Sequence, residues 1–455
     1  MKHDAHGWWL AEAGPVAPAP PLRGAHRADV VVIGGGYAGL WTAWQLLERG
    51  ASVAVLEADV CGHGPSGRNG GFCETLWSNL PDLVERFGAQ RALAAARASS
   101  DSVAAIGAWC EAEGVDAWYR RGGELVVSTA PAQDRVSTDA VDGTHVIAQT
   151  QEQARARCAS PVFRSGVYVA NAANVHPARL AFGLRERLLR RGALIFEGSR
   201  VAGVRPVPAG IELRTAGGRV RAGTAVFAIN AASGLLPPLR NRLTVSSSHI
   251  VMTEPVPDVI EELGWTGGES ISDGRALLHY LRTTRDARIL FGWAGGRMAA
   301  GARTSGRMEI DPGVIAQVER DLHRFFPQLE GRRLAHGWGG PIDVSPTHRP
   351  AIAGLAGLPA WAAFGYTGNG VGPSHLFGRT LAALALDRRD PVTRLPFVEP
   401  APRRVPPEPL RVAGAAVIRR ALARKEAIEE TGARPDPVTR ALAAAPSLLG
   451  LHIVR

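Results

Sequence analysis

The spacing of apolar residues divides the first part of the chain into a strand, a helix and a second strand. Four consecutive apolar residues at positions 30–33 are typical of a parallel strand buried on both faces. Apolar residues three and four positions apart between 40 and 47 then predict a helix with one buried stripe. Gly50 favours the end of this helix, and residues 52–57 indicate the next strand.

A glycine motif joins this first strand to the helix. Gly34, Gly36 and Gly39 form Gly-x-Gly-x-x-Gly, which permits a tight turn, close approach of a pyrophosphate and close helix packing. The N-terminus of the helix then faces the phosphates with its partial positive charge. Glu57 ends the second strand about 20 residues further on, where a carboxylate accepts hydrogen bonds from ribose hydroxyls. We predict a dinucleotide site at Gly34, Gly36, Tyr37, Ala38, Gly39, Glu57 and Ala58.

The later chain changes repeatedly between helical and strand-like periods. Helical spacing marks 83–114, 149–157, 177–192, 312–326 and 376–386. Strand-like spacing marks 118–129, 193–196, 200–204, 226–230, 246–251, 276–282 and 288–293. The strands after 240 indicate a second domain.

Length and charge narrow the class of protein. A chain of 455 residues exceeds what one compact core usually holds, so we expect two domains. The net charge of +10 comes almost entirely from arginines spread along the chain. Because no nucleic-acid-binding module accompanies this charge, we expect no nucleic-acid partner.

Cysteines and apolar runs bear on location and metal binding. The four cysteines lack the spacing of metal ligands, so we expect no metal and no disulfide framework. The N-terminus has no signal-peptide pattern, and no uninterrupted apolar run of about 20 residues occurs. These observations predict a cytoplasmic protein without a transmembrane segment.

Two further glycine-rich segments favour close approach of the backbone to a ligand. Residues 61–72 contain Ser66, Gly67, Arg68, Asn69, Gly70 and Gly71 directly after the ribose-binding strand. Residues 337–341 and 365–372 precede the apolar helix at 376–386, which places another glycine-rich turn at a helix N-terminus.

These three motifs, in this order, resemble the FAD-dependent D-amino-acid oxidase superfamily, in particular its γ-glutamylputrescine oxidase-like and glycine oxidase-like branch. The resemblance implies FAD as the cofactor, with residues 66–71 along the pyrophosphate and flavin. It also implies that Val201 offers its backbone to the adenine and that Asn230 lies near the cofactor. At the flavin end it implies contacts from Gly340, Gly368, Asn369, Gly370 and Val371.

The implied fold is α/β, with a Rossmann-like FAD-binding domain that is discontinuous in sequence and a second α+β substrate domain on a mixed sheet. We expect an N-terminal arm (1–24), an FAD-binding domain (25–82, 170–240 and 335–400), a substrate domain (83–169 and 241–334) and a basic helical tail (401–455). The adjacent Trp8 and Trp9 pin the arm onto the folded body. The tail is expected to dock on the FAD-binding domain or on a second subunit of a homo-oligomer, and a membrane-surface role is the alternative.

In relatives, strands such as those between 243 and 296 cover the flavin. We place His249, Tyr280 and Arg282 there as substrate-orienting residues, with the arginine able to clamp a carboxylate. Each of them has an even chance of facing away from the flavin, because side chains alternate along a strand.

The reaction that the resemblance implies is oxidation of an amine by hydride transfer to the flavin, followed by hydrolysis of the imine. Oxidation of a 2-hydroxy acid, a flavin monooxygenase and a non-catalytic FAD-binding subunit are the alternatives. Sarcosine-oxidase relatives hold flavin through a cysteine near the C-terminal motif, but no cysteine follows Cys158, which predicts non-covalent FAD. Those relatives also activate oxygen with a lysine. The only lysines here are Lys2 and Lys425, so oxygen or another electron acceptor remains open.

Overall fold

The computed structural model describes residues 1–134, 141–301, 303–400 and 404–448. Its strands are β1 (Lys2–His3), β2 (Gly24–Ile33), β3 (Val53–Leu56), β4 (Phe72–Cys73), β5 (Glu124–Val127), β6 (Val146–Gln149), β7 (Gly166–Val169), β8 (Ala173–Asn174), β9 (Leu194–Phe196), β10 (Gly203–Val207), β11 (Gly210–Arg214), β12 (Gly218–Phe227), β13 (Thr244–Thr253), β14 (Ser270–Asp273), β15 (His279–Thr283), β16 (Ile289–Trp293), β17 (Leu334–Val344), β18 (Ala351–Gly354) and β19 (Ala360–Phe364). Its α-helices are α1 (Gly7–Ala13), α2 (Tyr37–Glu48), α3 (Pro65–Arg68), α4 (Leu80–Phe87), α5 (Ala89–Ala112), α6 (Gln151–Arg157), α7 (Pro177–Arg190), α8 (Pro257–Glu262), α9 (Pro312–Phe325), α10 (Val371–Ala385), α11 (Leu410–Glu430) and α12 (Pro437–Leu448).

One sheet carries the glycine motif. Its strand order is β10-β11-β12-β2-β3-β9, with β19 also paired to β12, and β12, β2, β3 and β9 run parallel. Val30 and Val32 face a core built with α2, α7 and α10, whereas Val31 and Ile33 face a second core on the other side. The apolar run of β2 is therefore explained by burial on both faces, and the predicted α/β class is confirmed.

The second large sheet has the order β1-β17-β13-β16-β15-β14-β5-β7-β6 and is mixed. Helix α9 packs on one of its faces through Ile315, Val318, Leu322 and Phe325. The opposite face carries Ile250, Trp338 and Tyr280 and turns towards α3, because Trp338 Nε1 donates to Arg68 O at 2.8 Å. The space between this face and the first sheet is where a site can form.

Segment membership differs from the expected boundaries in three places. The N-terminal arm supplies β1 to the second sheet, where it pairs with β17. Strand β17 itself belongs to this second sheet and not to the part of the protein built on the first sheet, which we call the glycine-motif half. Helix α5 packs on α10 of the glycine-motif half. The single helix expected over 83–114 is two helices, because Gly88 adopts φ +79° between α4 and α5. The strands expected over 118–129 are reduced to β5.

Helix α11 docks beside the second sheet, and α12 packs on α11. Glu426 of α11 accepts hydrogen bonds from Ala276 N (2.7 Å) and Leu277 N (3.3 Å), and it is 5% exposed. Glu430 pairs with Arg324 of α9 at 3.0 Å. Among the described residues, no helix combines the length and apolar composition needed to cross a membrane.

Candidate FAD and substrate site

The turn after β2 has the geometry that a pyrophosphate cradle requires. Gly34 adopts φ +102°, and a Cβ there would lie 2.3 Å from Ala228 O. A Cβ at Gly39 would lie 1.9 Å from Gly34 O. Only glycine fits either position, so the chain folds back tightly enough for α2 to begin directly behind the turn.

The N-terminus of α2 is open to a ligand of negative charge. Gly36 precedes the helix, and a Cβ on Gly36 would meet only the side chain of Ser66, with Oγ at 2.8 Å. Ser66 Oγ in turn accepts the N–H of Tyr37 at 2.9 Å. A phosphate oxygen is a stronger acceptor than a hydroxyl for this helix-terminal N–H, so Ser66, Tyr37 and the adjacent Ala38 fit a pyrophosphate.

Glu57 lies at the carboxyl end of β3, as predicted. Its carboxylate accepts N–H groups from Gly35 (2.6 Å) and Asp59 (2.9 Å). Burial raises the pKa of Glu57, and these backbone donors counteract the rise. Each carboxylate oxygen keeps a lone pair for a ribose hydroxyl. Ser199 N donates to Glu57 O at 2.7 Å, which brings the segment with Val201 to the same end of the sheet.

Loop 66–71 is closed by its own asparagine. Asn69 Nδ2 donates to Pro65 O and Ser66 O, at 3.1 and 2.9 Å, and Asn69 Oδ1 accepts from Gly71 N at 2.7 Å. Asn69 therefore shapes the loop, and its side-chain groups are used within it. Gly70 and Gly71 present backbone to the second sheet, since a Cβ on Gly70 would lie 3.3 Å from Tyr280 Cδ2.

Arg68 does not point into the predicted cofactor position. Its side chain is buried, with Nη1 donating to Ala5 O (2.5 Å) and to Glu309 (3.0 Å). The arginine thus ties the N-terminal segment to α3 through Nη1, and a contact of Arg68 with the cofactor stays a prediction.

Replacing Arg68 by alanine should loosen the N-terminal segment, because a charged hydrogen bond of this kind contributes about 1.5–3 kcal/mol. We expect faster proteolysis within residues 1–14 and a lower melting temperature, with FAD still bound. The exposed Arg97 of α5 provides a matched control, Arg97→Ala. Equal cleavage of both variants and the parent protein would contradict the anchoring role.

The glycine-rich turn at residues 365–371, which is expected at the flavin, is held in place by Asp343. Asp343 is not among the candidates predicted from the sequence. Asp343 is fully buried, and its carboxylate accepts N–H groups from Gly365 (2.5 Å) and Tyr366 (3.1 Å). Asn230, at φ +47°, donates to it at 3.2 Å. The sequence did contain a signal for Asp343, because a single acidic residue inside a strand is costly to bury without hydrogen-bond partners. Asp343 therefore fixes turn 365–371 against Asn230.

Turn 365–371 leads into α10, which begins at Val371 with Gly370 before it. Gly368 adopts φ +89°, and a Cβ there would have no neighbour within 4 Å. Gly340 on β17 has the same open surroundings. Turn and strand thus leave space beside a helix N-terminus, and this space suits the electron-rich end of a reduced flavin.

We call the sheet surface with Ser248, Ile250, Tyr280, Trp338 and Gly340 the Tyr280 face. Cross-strand register places Ser248 opposite Gly340, and Ile250 opposite both Trp338 and Gly292. The Tyr280 ring packs edge-on against Phe72 with ring centroids 5.6 Å apart. Tyr280 is therefore on the side of the sheet that meets loop 66–71, as its predicted role requires.

His249 lies on the opposite face. It is paired with Trp293, which is paired with His279, and His279 Nε2 lies 3.2 Å from Asp321 of α9. Burial lowers the pKa of His249 to about 4. Alternation along β13 directs this ring under α9, so we withdraw the expectation that His249 orients substrate.

Arg282 shares the Tyr280 face, but its guanidinium is engaged by the protein. Nη1 donates to Val175 O (2.8 Å), Gly71 O (3.2 Å) and Gly70 O (3.5 Å). Burial lowers the pKa of Arg282 to about 9. Its Nη1 atom holds the backbone of loop 66–71 and its Nε donates to Thr283 O, and the expected clamp on a substrate carboxylate is not supported.

A glycine cradle, a ribose carboxylate and a second helix N-terminus, all facing one sheet, define a flavin-dependent oxidoreductase. The chain belongs to the family described as DAO, FAD dependent oxidoreductase, whose sequence model matches residues 29–384. FAD is therefore its cofactor, and the cradle, Glu57 and turn 365–371 fit it.

Named relatives cover most of the chain. Gamma-glutamylputrescine oxidoreductase of Escherichia coli is 28% identical over 408 residues, which is 87% of this chain and 93% of the relative. Probable oxidoreductase OrdL of Haemophilus influenzae is 27% identical over 379 residues, covering 81% and 85% respectively.

Solved structures share the fold. Glycine oxidase from Geobacillus kaustophilus matches with a TM-score of 0.67 and 21% identity, covering 84% of this chain and all of that one. L-proline dehydrogenase from P. horikoshii matches with a TM-score of 0.67 and 19% identity, covering 82% and 96%. The match to the family model over residues 29–384 confirms the predicted superfamily.

Proposed function

We propose that the protein oxidises a primary or secondary amine, of amino-acid or polyamine type, to an imine that water hydrolyses to a carbonyl compound. The observation that carries this proposal is the similarity to gamma-glutamylputrescine oxidoreductase over 87% of the chain. The second candidate is a 2-hydroxy acid, which would need, as an amino acid would, a partner for its carboxylate next to the reacting carbon.

The Tyr280 face favours an amine of polyamine type over substrates with a carboxylate next to the reacting carbon, whether 2-hydroxy acids or amino acids. Its half-buried positions next to the open space are Ser248, Tyr280, Gly340 and Ile342, all uncharged. Arg282, the cation on this face, donates to three carbonyl oxygens. Within the described part of the sheet, a substrate carboxylate would therefore meet hydroxyls and apolar groups instead of a free guanidinium.

The apolar side chains around the space favour the reactive form of an amine. Ile250, Met252, Leu290 and Trp338 of the Tyr280 face form one buried cluster with Trp8, Trp9 and Leu10 of α1, beside this space. A dry pocket disfavours the ammonium form and keeps the nitrogen lone pair available. When bound, FAD accepts the hydride of the α C–H bond. The chain's part is to orient that bond and exclude water.

The experiment follows the visible flavin band of the FAD-loaded protein without oxygen while substrates are added. We expect bleaching by polyamines, N-methyl amino acids, glycine or D-amino acids, with ammonia or a smaller amine as the second product. Bleaching by 2-hydroxy acids alone would overturn the proposal, as would flavin reduction by NADPH alone. Admitting air to the reduced protein then distinguishes oxygen from another electron acceptor.

A further inference from the structure

Two hydroxyl groups meet on the Tyr280 face. The ring of Tyr280 lies across β16 at Gly292, where a Cβ would stand 2.1 Å from Tyr280 Cζ. Only a glycine lets the ring lie flat there. The phenol oxygen thereby reaches Ser248 Oγ, on the next strand, at 2.7 Å.

The direction of the hydrogen bonds follows from counting protons. Ser248 Oγ lies 2.9 Å from Trp293 O, and a carbonyl oxygen only accepts. The single proton of Ser248 is therefore donated to Trp293 O. In the contact between the two hydroxyls, Tyr280 must then be the donor and Ser248 the acceptor.

We propose that Ser248 is a positioning residue that holds the Tyr280 proton away from the substrate, so that the phenol oxygen offers only lone pairs to it. Ser248 is in register with Gly340, whose surroundings are open, so the oxygen borders the space expected for substrate. Burial also raises the pKa of Tyr280, and the phenol stays protonated and does not act as a base.

This inference rests on the proposed function and explains its selectivity. An amine N–H donates to the Tyr280 oxygen, which leaves the nitrogen lone pair directed at the α-carbon. As the α C–H pair leaves as hydride to FAD, that lone pair becomes the C=N bond, and an iminium ion forms without loss of a proton. An alcohol would also have to release its O–H proton, and a protonated tyrosine that donates to Ser248 does not take it.

The test compares Ser248→Ala, Ser248→Thr and the control Ser246→Ala, which changes a serine two residues earlier on the same face of β13. Anaerobic rapid mixing with the best amine of the panel separates substrate affinity from the limiting rate of flavin reduction. For Ser248→Ala we expect the ratio of the limiting rate of flavin reduction to the dissociation constant of the substrate to fall about tenfold, because the hydrogen bond of the Tyr280 phenol is then misdirected. Ser248→Thr should restore it to within about twofold.

A second measurement separates positioning from general damage. The dissociation constant of the substrate is compared with that of its N,N-dimethyl analogue, which as a neutral base has no N–H to donate. In Ser248→Ala the freed phenol proton can reach a nitrogen lone pair, so preference for the N–H compound should fall about tenfold. Gly292→Ala, which displaces the Tyr280 ring without altering Ser248, should also lower the preference for the N–H compound over its N,N-dimethyl analogue.

The outcomes are distinct. If the parent protein is reduced by an amine but Ser248→Ala matches Ser246→Ala in both measurements, the positioning role is overturned and the proposed function stands. If no amine reduces the parent protein, the proposed function is wrong, and this inference, which rests on it, is wrong as well. An intact flavin spectrum in each variant shows that the fold has been kept.

Discussion

Replacing Gly36 by valine should lower FAD affinity about 100-fold, because it withdraws the amides at the start of α2 from the pyrophosphate. A Cβ there has only the side chain of Ser66 within 4 Å, and this side chain can move, so the fold should survive. By contrast, a Cβ at Gly39 would collide with backbone at 1.9 Å, so a change there would test folding instead. The measurement is a titration of the stripped protein with FAD, followed by flavin fluorescence.

Gly203→Val is the matched control, because it introduces the same side chain into β10 of the same sheet, where the nearest atom to a Cβ is 3.9 Å away. It should bind FAD as the parent protein does. Equal FAD affinity in the Gly36 and Gly203 variants would show that the pyrophosphate lies elsewhere.

Asp343→Ala should be the most destabilising single change among those considered, by about 3–5 kcal/mol in the free energy of unfolding. It leaves the N–H groups of Gly365 and Tyr366 and the amide of Asn230 without their acceptor, and each buried donor costs about 1–3 kcal/mol. FAD should also dissociate faster, because turn 365–371 loses its anchor. Chemical denaturation of the apo and FAD-loaded forms measures both effects.

Asp142→Ala provides the comparison, since Asp142 also accepts N–H groups of a turn, at Thr144 and His145, but at the exposed edge next to β6. It should cost less stability and leave FAD binding unchanged. Loss of stability in Asp343→Ala no greater than in Asp142→Ala would contradict the anchoring role.

The same aspartate should make stability depend on pH. Burial raises the pKa of Asp343 from 3.8 to about 7, so the folded protein binds this proton more tightly than the unfolded chain does. The contribution of Asp343 is therefore most favourable below about pH 4 and declines as pH rises to about 7. The stability difference between the parent protein and Asp343→Asn should change in that direction over this window. A difference independent of pH would show that the carboxyl group does not titrate there.

Local patterns in the sequence were sufficient to predict the unit that carries the glycine motif and Glu57. The apolar run of β2, the glycines and Glu57 follow one another within about 30 residues, and their geometry is fixed by the backbone over that distance. Gly34 and Gly39 occupy positions where a Cβ would collide with backbone oxygens. The position of Glu57 at the end of β3 follows from the same unit.

The substrate side depends on cross-strand register, which the sequence does not contain. Alternation along a strand predicts that neighbouring residues face opposite sides of the sheet, but it does not predict which side faces loop 66–71. Tyr280 and His249 were equally good candidates, and pairing with Gly292 and Trp293 decides between them. The partners of Arg68 and Arg282 are likewise backbone carbonyls remote in sequence, at Ala5 and Val175.

The way Asp343 joins Asn230 to turn 365–371 also determines when the site can form during synthesis. The cradle at Gly34 and Glu57 leaves the ribosome early, whereas Asp343 and the turn emerge roughly 300 residues later, a separation typical of high contact order. Strands β12 and β19 must likewise pair across a long separation, with Ala225 opposite Ala360. A nascent chain therefore carries an incomplete nucleotide site through most of its translation, and the cofactor gains its full set of contacts only when just over four-fifths of the chain has been made.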